Sequence, residues 1–365
     1  MIDRYIVVDF LGEGGAARVY KVKHYHLQSI HALKVLAVND AETKRRLIEE
    51  GRSQASLRHP NVVAVTDALL HEGQPCLVIE FVDGPSLYDL MDEYKPNLEE
   101  ALELFRGILR GVDAAHRHGL VHRDLKPENV LLAQTDRGVV PKVADFGLVK
   151  VLAKGAGHRD TSSGTFLGTP QYMSPEQISD PASVDPRADM FSLGCLLFEM
   201  VCGQVAFDAD NTYEALNKIM NSEYPPPESL VPNLPKHIKD AINGLLAHEA
   251  KDRTADCSIL MDQLYGGVEK IRSASDDTQE IARESVVALG PRAERIIKGG
   301  TTARPRKRLR LPGVVGSIFE DGVRNPDQLS ARAEQIWIGV IAFMAGMMGV
   351  VVGLYVARFL GLLPM

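Results

Sequence analysis

The chain has 365 residues, 45% of them apolar and 24% charged, with a formal net charge of −7. That length is too great for one small domain, the composition is that of a globular protein, and the acidic balance gives no overall attraction for nucleic acid. Cys76, Cys195, Cys202 and Cys257 show neither CxxC nor Cys/His spacing, so they read as reduced, buried thiols rather than a disulfide framework or a zinc site.

The N-terminal stretch "MIDRYIVVDFLG" holds no long apolar run, which argues against a signal peptide. Residues 5–38 alternate short apolar and polar runs with glycine punctuation and predict antiparallel strands. Residues 40–58 predict a helix, with Leu47, Ile48 and Leu57 set among charges. "HPNVVAVTDALL" and "CLVIEFV" predict two further strands, and beyond Gly84 the pattern turns mainly helical. "LEEALELFRGILRGVDAAHRHG" is amphipathic and ends on Gly119 as a C-cap. "DMFSLGCLLFEMVCG" is apolar nearly all round, which predicts a buried helix carrying Cys195 and Cys202.

Compact folding is expected to stop near Leu264–Gly267. Residues 266–335 then mix small, polar and charged residues and predict a linker, partly helical around 278–297, with the basic run "RPRKRLR" at 304–310. From Ile336 to Ala357 there is no charge over about 22 residues, enough to cross a bilayer core, with Trp337 and Tyr355 near the two ends. The expected topology is a single span with the basic run on its cytoplasmic side, against anionic headgroups, and a short tail at 358–365. Ala345, Gly349, Gly353 and Ala357 recur every fourth residue and form a shallow stripe through which two spans can pair as a homodimer.

The chemistry sits in four stretches. "LGEGGAARVYKV" places Gly12, Gly14 and Gly15 between two strands, a loop whose backbone N–H groups can approach phosphate oxygens. It is not a dinucleotide fingerprint, because a strand follows it, and no GxxxxGK[ST] occurs. Lys34 in "HALKVL" has apolar neighbours, so it either meets an anion or lets its stem snorkel outward; Glu49 and Glu50 are the nearby candidates. "VHRDLKPENVLLA", residues 121–133, packs His122, Arg123, Asp124, Lys126, Glu128 and Asn129 inside an apolar frame. Asp124 suits a proton acceptor, Lys126 balances charge on a phosphoryl group, and Asn129 offers an oxygen to a hard cation. "VADFGLVK" adds Asp145 as a second oxygen ligand. A glycine-rich lid, a lysine, a carboxylate base and two oxygen ligands are the parts that phosphoryl transfer from Mg-ATP requires.

Taken in order, Gly12–Gly14, Lys34, Glu50, His122-Arg123-Asp124, Asn129, Asp145-Phe146-Gly147 and Ser174-Pro175-Glu176 resemble the eukaryotic-type protein kinase family, in its bacterial serine/threonine branch. The resemblance covers about residues 5–265 and implies an α+β, bilobal fold: a small β-rich N-lobe (5–82) and a larger helical C-lobe (83–265). It implies that Asp124 orients the substrate hydroxyl and accepts its proton, that Lys126 contacts the transferring phosphate, and that Asn129 and Asp145 hold Mg²⁺. ATP would lie under the lid of Leu11, Gly12, Glu13, Gly14, Gly15, Ala16 and Ala17. Lys34 would bind its α/β-phosphates and pair with Glu50. Val19 and Ala32 would roof the adenine, Leu131 floor it, and the backbone of Glu80–Val82 form the hinge, with Ile79 as gatekeeper. Glu176 would pair with Arg253, and Asp189 would brace the catalytic loop.

"DLKPEN" resembles the serine/threonine rather than the tyrosine version, so the expected partners are protein substrates with Ser or Thr. Thr165 is the expected activation-loop phosphosite, with Thr161 or Ser163 second, and Arg123 its cation. Ala17 replaces the third lid glycine, and Gln54 stands where the family places an apolar residue packed toward Phe146. A membrane-tethered pseudokinase scaffold and a small-molecule phosphotransferase are the alternative readings.

Overall fold

The computed structural model of the chain describes residues 1–14, 17–38, 40–146, 170–266 and 286–299. Five antiparallel strands form the N-terminal sheet: β1 (Tyr5–Gly14), β2 (Ala17–His24), β3 (Ile30–Leu36), β4 (Val65–His71) and β5 (Gln74–Glu80), in the order β1-β2-β3-β5-β4. One helix, α1 (Ala41–Ala55), packs on β4 and β5. Asp40 caps it by accepting from the Glu42 and Thr43 amides, which satisfies donors that the first turn leaves open. The helix lies close to the sheet at Gly51, where a Cβ would come within 2.6 Å of the Leu77 side chain.

The predicted strand "HPNVVAVTDALL" begins later than its apolar pattern suggests. Pro60 has no N–H to give a ladder, and the His59 ring accepts from the Asn61 amide at 3.2 Å. The Asn61 side chain then donates to the Pro141 carbonyl at 2.9 Å, which ties this turn to the C-lobe.

The C-lobe is helical around α2 (Leu87–Glu93), α3 (Leu98–Arg117), α4 (Pro175–Ser179), α5 (Pro186–Cys202), α6 (Thr212–Met220), α7 (Pro227–Leu230), α8 (Lys236–Leu245) and α9 (Cys257–Tyr265). A two-stranded ribbon, β6 (Val130–Thr135) with β7 (Gly138–Val143), lies against α3. α3 turns one face inward through Leu104, Phe105, Ile108, Leu109, Val112 and Ala115, and α5 is buried on nearly every side. α3 ends at Arg117, and Gly119 takes φ +73° just beyond, in the role its sequence position predicted. All four cysteines are free and buried, and burial pushes the Cys76 and Cys202 thiols up to about 11.

Compact structure does not end at residue 267. Residues 286–299, expected to be a linker partly helical around 278–297, pack on the C-lobe through Val287, Leu289, Ala293 and Ile297 and include α10 (Pro291–Gly299). Among the described residues no helix is long and apolar enough to cross a membrane; the expected span at 336–357 and the basic run at 304–310 lie outside them.

Arg253 holds the lower part of the C-lobe together. Its guanidinium has no exposure and makes a two-pronged pair with Glu176, at 2.7 Å on each arm. Its remaining donors go to the carbonyls of Ala247, Arg187 and His248 at 2.8–2.9 Å. Arg253→Met keeps the stem and strands the Glu176 carboxylate, and should cost about 3–5 kcal/mol in urea denaturation. Lys236→Met, which removes an exposed pair with Asp240, should cost less than about 0.5 kcal/mol in the same measurement.

Candidate active site

The catalytic-loop stretch has no regular structure before Pro127, so polar contacts fix it. Its anchor is Asp189 in the first turn of α5, a carboxylate with no exposure. Asp189 accepts from the amides of His122 and Arg123, each at 2.8 Å, and from His116 Nε2 at 2.8 Å. Burial opposes its ionisation, but these donors and the neighbouring imidazoles win and hold it below the usual carboxylate range. Arg123 sits at φ +69°, which turns the chain so that the two amides converge. The Arg123 carbonyl accepts from Gln177 at 2.7 Å, and its guanidinium donates to the Val184 carbonyl at 2.9 Å.

His122 is buried, and its two ring nitrogens have distinct partners. Nε2 donates to the Ala144 carbonyl at 2.7 Å, while Nδ1 accepts from the Asp124 amide at 3.2 Å. The ring also packs 4.7 Å from Phe146. One histidine thereby sets the spacing between the segment carrying Asp124 and the segment carrying Asp145.

Asp124, Lys126 and Asn129 form one cluster. Lys126 Nζ donates to both carboxylate oxygens of Asp124, at 2.8 and 3.0 Å. Asn129 Nδ2 donates to the Asp124 carbonyl at 2.7 Å and to Oδ2 at 3.1 Å. With its nitrogen engaged there, the Asn129 carbonyl oxygen is the atom left for a cation. Glu128, in the same stretch, has a buried Oε2 with no hydrogen-bond partner. Burial first, and then the nearby charge of Glu128, push the Glu199 carboxyl up to about 7, while Tyr172 donates to it at 2.6 Å. Glu199 and Tyr172 carried no signal in the sequence beyond their place in apolar surroundings.

Lys34 meets an anion, but not one on α1. Its Nζ lies 2.8 Å from Asp145 Oδ1, and no pair with Glu50 forms. Glu49 is taken by Arg45 at 3.0 Å. The expected Lys34–Glu50 pair is therefore replaced by Lys34–Asp145. Burial raises the Asp145 carboxyl, yet the Lys34 ammonium prevails and holds it below the usual range. Gln54, one turn after Glu50, is buried and donates its amide to the Phe146 carbonyl. A small cavity of about 20 Å³ lies beside these groups, lined by Lys34, Gln54, Leu77, Ile79, Asp145 and Phe146 among others.

Of the residues expected at the adenine slot, Ile79, Val82 and Leu131 share one apolar cluster. Val63, Val82 and Ala144 form a small apolar cluster, with Ile79 and Leu131 packed against it. Ala32 faces Ile79 across the sheet, and Val19 faces Lys34. The side chain of Glu80 turns to Lys142 at 3.0 Å, and its amide donates to the Ala64 carbonyl at 2.8 Å. Leu11, Gly12, Glu13, Gly14 and Ala17 form the β1–β2 end of the lid, where Glu13 pairs with Arg18 at 3.0 Å. Gly15, Ala16, Thr161, Ser163 and Thr165 lie outside the described residues.

The protein kinase domain family matches residues 5–265. The chain belongs to the protein kinase family. Its relatives include the probable serine/threonine-protein kinase PknB of Lactococcus lactis, 34% identical over 264 residues, which cover 71% of this chain and 41% of that protein. The serine/threonine-protein kinase PknL of Mycobacterium tuberculosis is 35% identical over 257 residues, covering 69% and 63%. The chain thus spans less than two thirds of the length of these relatives. Among solved structures, residues 1–466 of Rad53 in complex with AMP-PNP superpose with a TM-score of 0.59 at 25% identity, covering 71% of this chain and 64% of that one. The five-stranded N-lobe and helical C-lobe are the bilobal kinase fold.

Within this kinase fold, Gln54 is the local departure with a measurable consequence. Gln54→Leu keeps the volume and leaves the Phe146 carbonyl buried without its donor. The substitution should cost about 1–3 kcal/mol of stability. Urea denaturation of the two proteins checks it.

Proposed function

We propose that the chain is a serine/threonine protein kinase that transfers the γ-phosphate of Mg-ATP to Ser or Thr hydroxyls of proteins. The observation that carries this reading is the cluster of Asp124, Lys126 and Asn129, fixed by the buried Asp189 and joined through the Ala144 amide on the Asn129 backbone carbonyl to the segment that carries the Lys34–Asp145 pair. The donor set suits Mg-ATP: a carboxylate and an amide oxygen for a hard cation, a lysine for phosphate, and an apolar slot at Val82, Ile79 and Leu131 for a base. Asn129 and Asp145 would hold the metal, Lys34 the α/β-phosphates, and the lid from Leu11 to Ala17 would cover them. Bound Mg-ATP supplies the phosphoryl group and neutralises its charge.

The chain's own residues then do three things. Asp124 accepts the hydrogen bond of the incoming hydroxyl, orients its oxygen, and takes its proton as the new bond forms. Lys126, already on Asp124, is placed to balance charge on the transferring group. Asp189 and His122 keep the loop from relaxing when the substrate leaves. Arg123 is the cation proposed to meet a phosphate on Thr165, with Thr161 and Ser163 the next candidates.

The finer parts of the reading concern location and assembly. Ile336–Ala357 would span the membrane once, the basic run at 304–310 would lie at the cytoplasmic surface, and the stripe through Gly349 and Gly353 would pair two copies. Pairing would raise the local concentration of each kinase domain for the other's activation loop.

Asp124→Asn should abolish phosphate transfer to protein, by about 10²-fold or more, while nucleotide binding by calorimetry stays near wild type. Transfer retained in this variant would overturn the mechanism. Full-length protein should sediment with membranes and remain there in high salt, whereas a chain ending before Ile336 should be released; equal release of both would overturn the anchor.

A further inference from the structure

We propose that residues 286–299, beyond the matched kinase domain, form a built-in strap whose Val287, Ala293 and Ile297 act as positioning residues for the nucleotide-binding floor. The proposal rests on the reading of Leu131 as that floor. The strap first joins the β6–β7 ribbon. Val287 donates to the Val139 carbonyl at 2.7 Å and accepts from the Val139 amide at 2.9 Å, so it acts as a one-residue strand on the free edge of β7. The fit there is closed. Gly138 has φ +145°, and a Cβ at that position would lie 2.3 Å from the Val287 carbonyl oxygen, so conformation and contact each demand glycine.

The chain then turns at Gly290, whose amide donates to Glu100 Oε1 at 2.8 Å. Glu100 also receives the Asn97 amide at 2.9 Å and the Tyr94 hydroxyl at 2.7 Å, and forms the capping box of α3. Burial raises this carboxyl, but the three donors prevail and hold it below the usual range. The strap thus adds a third donor to the carboxylate that closes the capping box of α3. Pro291 opens α10, which lays Ala293 and Ile297, one turn apart and at most 1% exposed, on α2 and β6. Gln134 on β6 donates to the Ile297 carbonyl at 2.6 Å, closing a carbonyl that the helix end cannot satisfy internally.

Both elements under the strap lead to the nucleotide slot. β6 carries Leu131, and it bonds along its length to the segment leaving the hinge. Leu132 N donates to the Pro85 carbonyl at 2.9 Å, Gln134 N reaches the Asp83 carbonyl at 3.4 Å, and Ser86 bridges Leu131. Ser86 is also the N-cap of α2. Residues 83–86 are therefore held between β6 and α2, and the strap backs both. The backbone leading into Asp124 is braced separately, by Asp189 and His116. Unseating the strap should loosen nucleotide binding and leave the chemical step alone.

The test uses the full-length chain carrying Ala293→Glu with Ile297→Glu, which puts two carboxylates into a closed apolar contact. Arg295→Glu on the exposed face of α10 is the control, and Ile297→Ala is the milder variant should the double one fail to fold. Hydrogen exchange at the Val139 amide reports the seat, calorimetric ATP affinity reports the slot, and KM against kcat separates binding from chemistry. We expect fast exchange at Val139 and ATP binding weakened about tenfold, with KM rising and kcat unchanged. A synthetic peptide of residues 286–300 should restore the affinity. Exposed Val139 with unaltered ATP affinity, unaltered Val139 protection, or no rescue by the peptide would each overturn the strap's positioning role. If wild type binds ATP but transfers no phosphate, the kinase reading fails while exchange and affinity still decide the strap.

Discussion

A carboxylate sealed inside a helical lobe dictates the course of the chain around it. Asp189 has no solvent exposure, so its two oxygens must be met by protein donors, or the charge costs several kcal/mol (order of magnitude). The donors are two consecutive backbone amides and one imidazole. Consecutive amides point to one side only where the backbone departs from extended or helical geometry, and Arg123 does so at φ +69°. A left-handed arginine costs about 1–2 kcal/mol, which the charge-assisted bonds to Asp189 and the Gln177 bond to its carbonyl offset. The position of Asp124 follows, because it is the next residue along.

Apolar and polar groups divide the labour of the C-lobe. α3 and α5 supply a floor whose packing is indifferent to the details of the loops above it. The loops, which have no ladder of their own, are fixed by a few buried polar groups on those helices. His122, Asp189 and Arg253 each satisfy several backbone groups at once. Removing one therefore releases more than one hydrogen bond, so such sites are more sensitive than equally buried leucines nearby. The strap reuses the same device: Glu100 binds the α3 cap, a tyrosine hydroxyl and the Gly290 amide together.

What the sequence made legible follows from how local each signal is. α5 is apolar on all sides, and only burial on all sides accommodates that. The residue types from His122 to Asn129 are costly to bury without a task, so their spacing pointed to chemistry. The late start of β4 was hidden because His59 and Asn61 compete for the backbone through their side chains, which an apolar count does not register. Residues 286–299 read as a partly helical linker because the strand is one residue long and the following helix is short, presenting Ala293, Ile296 and Ile297 to the core. Both find their partners on β7, β6 and α2, more than a hundred residues earlier, so no periodicity within the segment could reveal them.

The partner of Lys34 shows the same limit and carries a consequence for the reaction. Glu50 and Gln54 lie one turn apart on one face of α1. Gln54 is bonded to the Phe146 carbonyl, and the residue before Phe146 is Asp145, which takes the lysine. The lysine is held by the anion joined to the Gln54 anchor, and not by Glu50. On the proposed assignment, Lys34 serves phosphate and Asp145 serves a metal ion, so their mutual pair must open when nucleotide enters. The exchange is nearly balanced in charge: the ammonium trades a carboxylate for phosphate oxygens, and the carboxylate trades the ammonium for a divalent cation. The Lys34 side chain is 13% exposed and that of Asp145 34%, and the ammonium holds the Asp145 carboxyl below the usual range, in the form a cation requires.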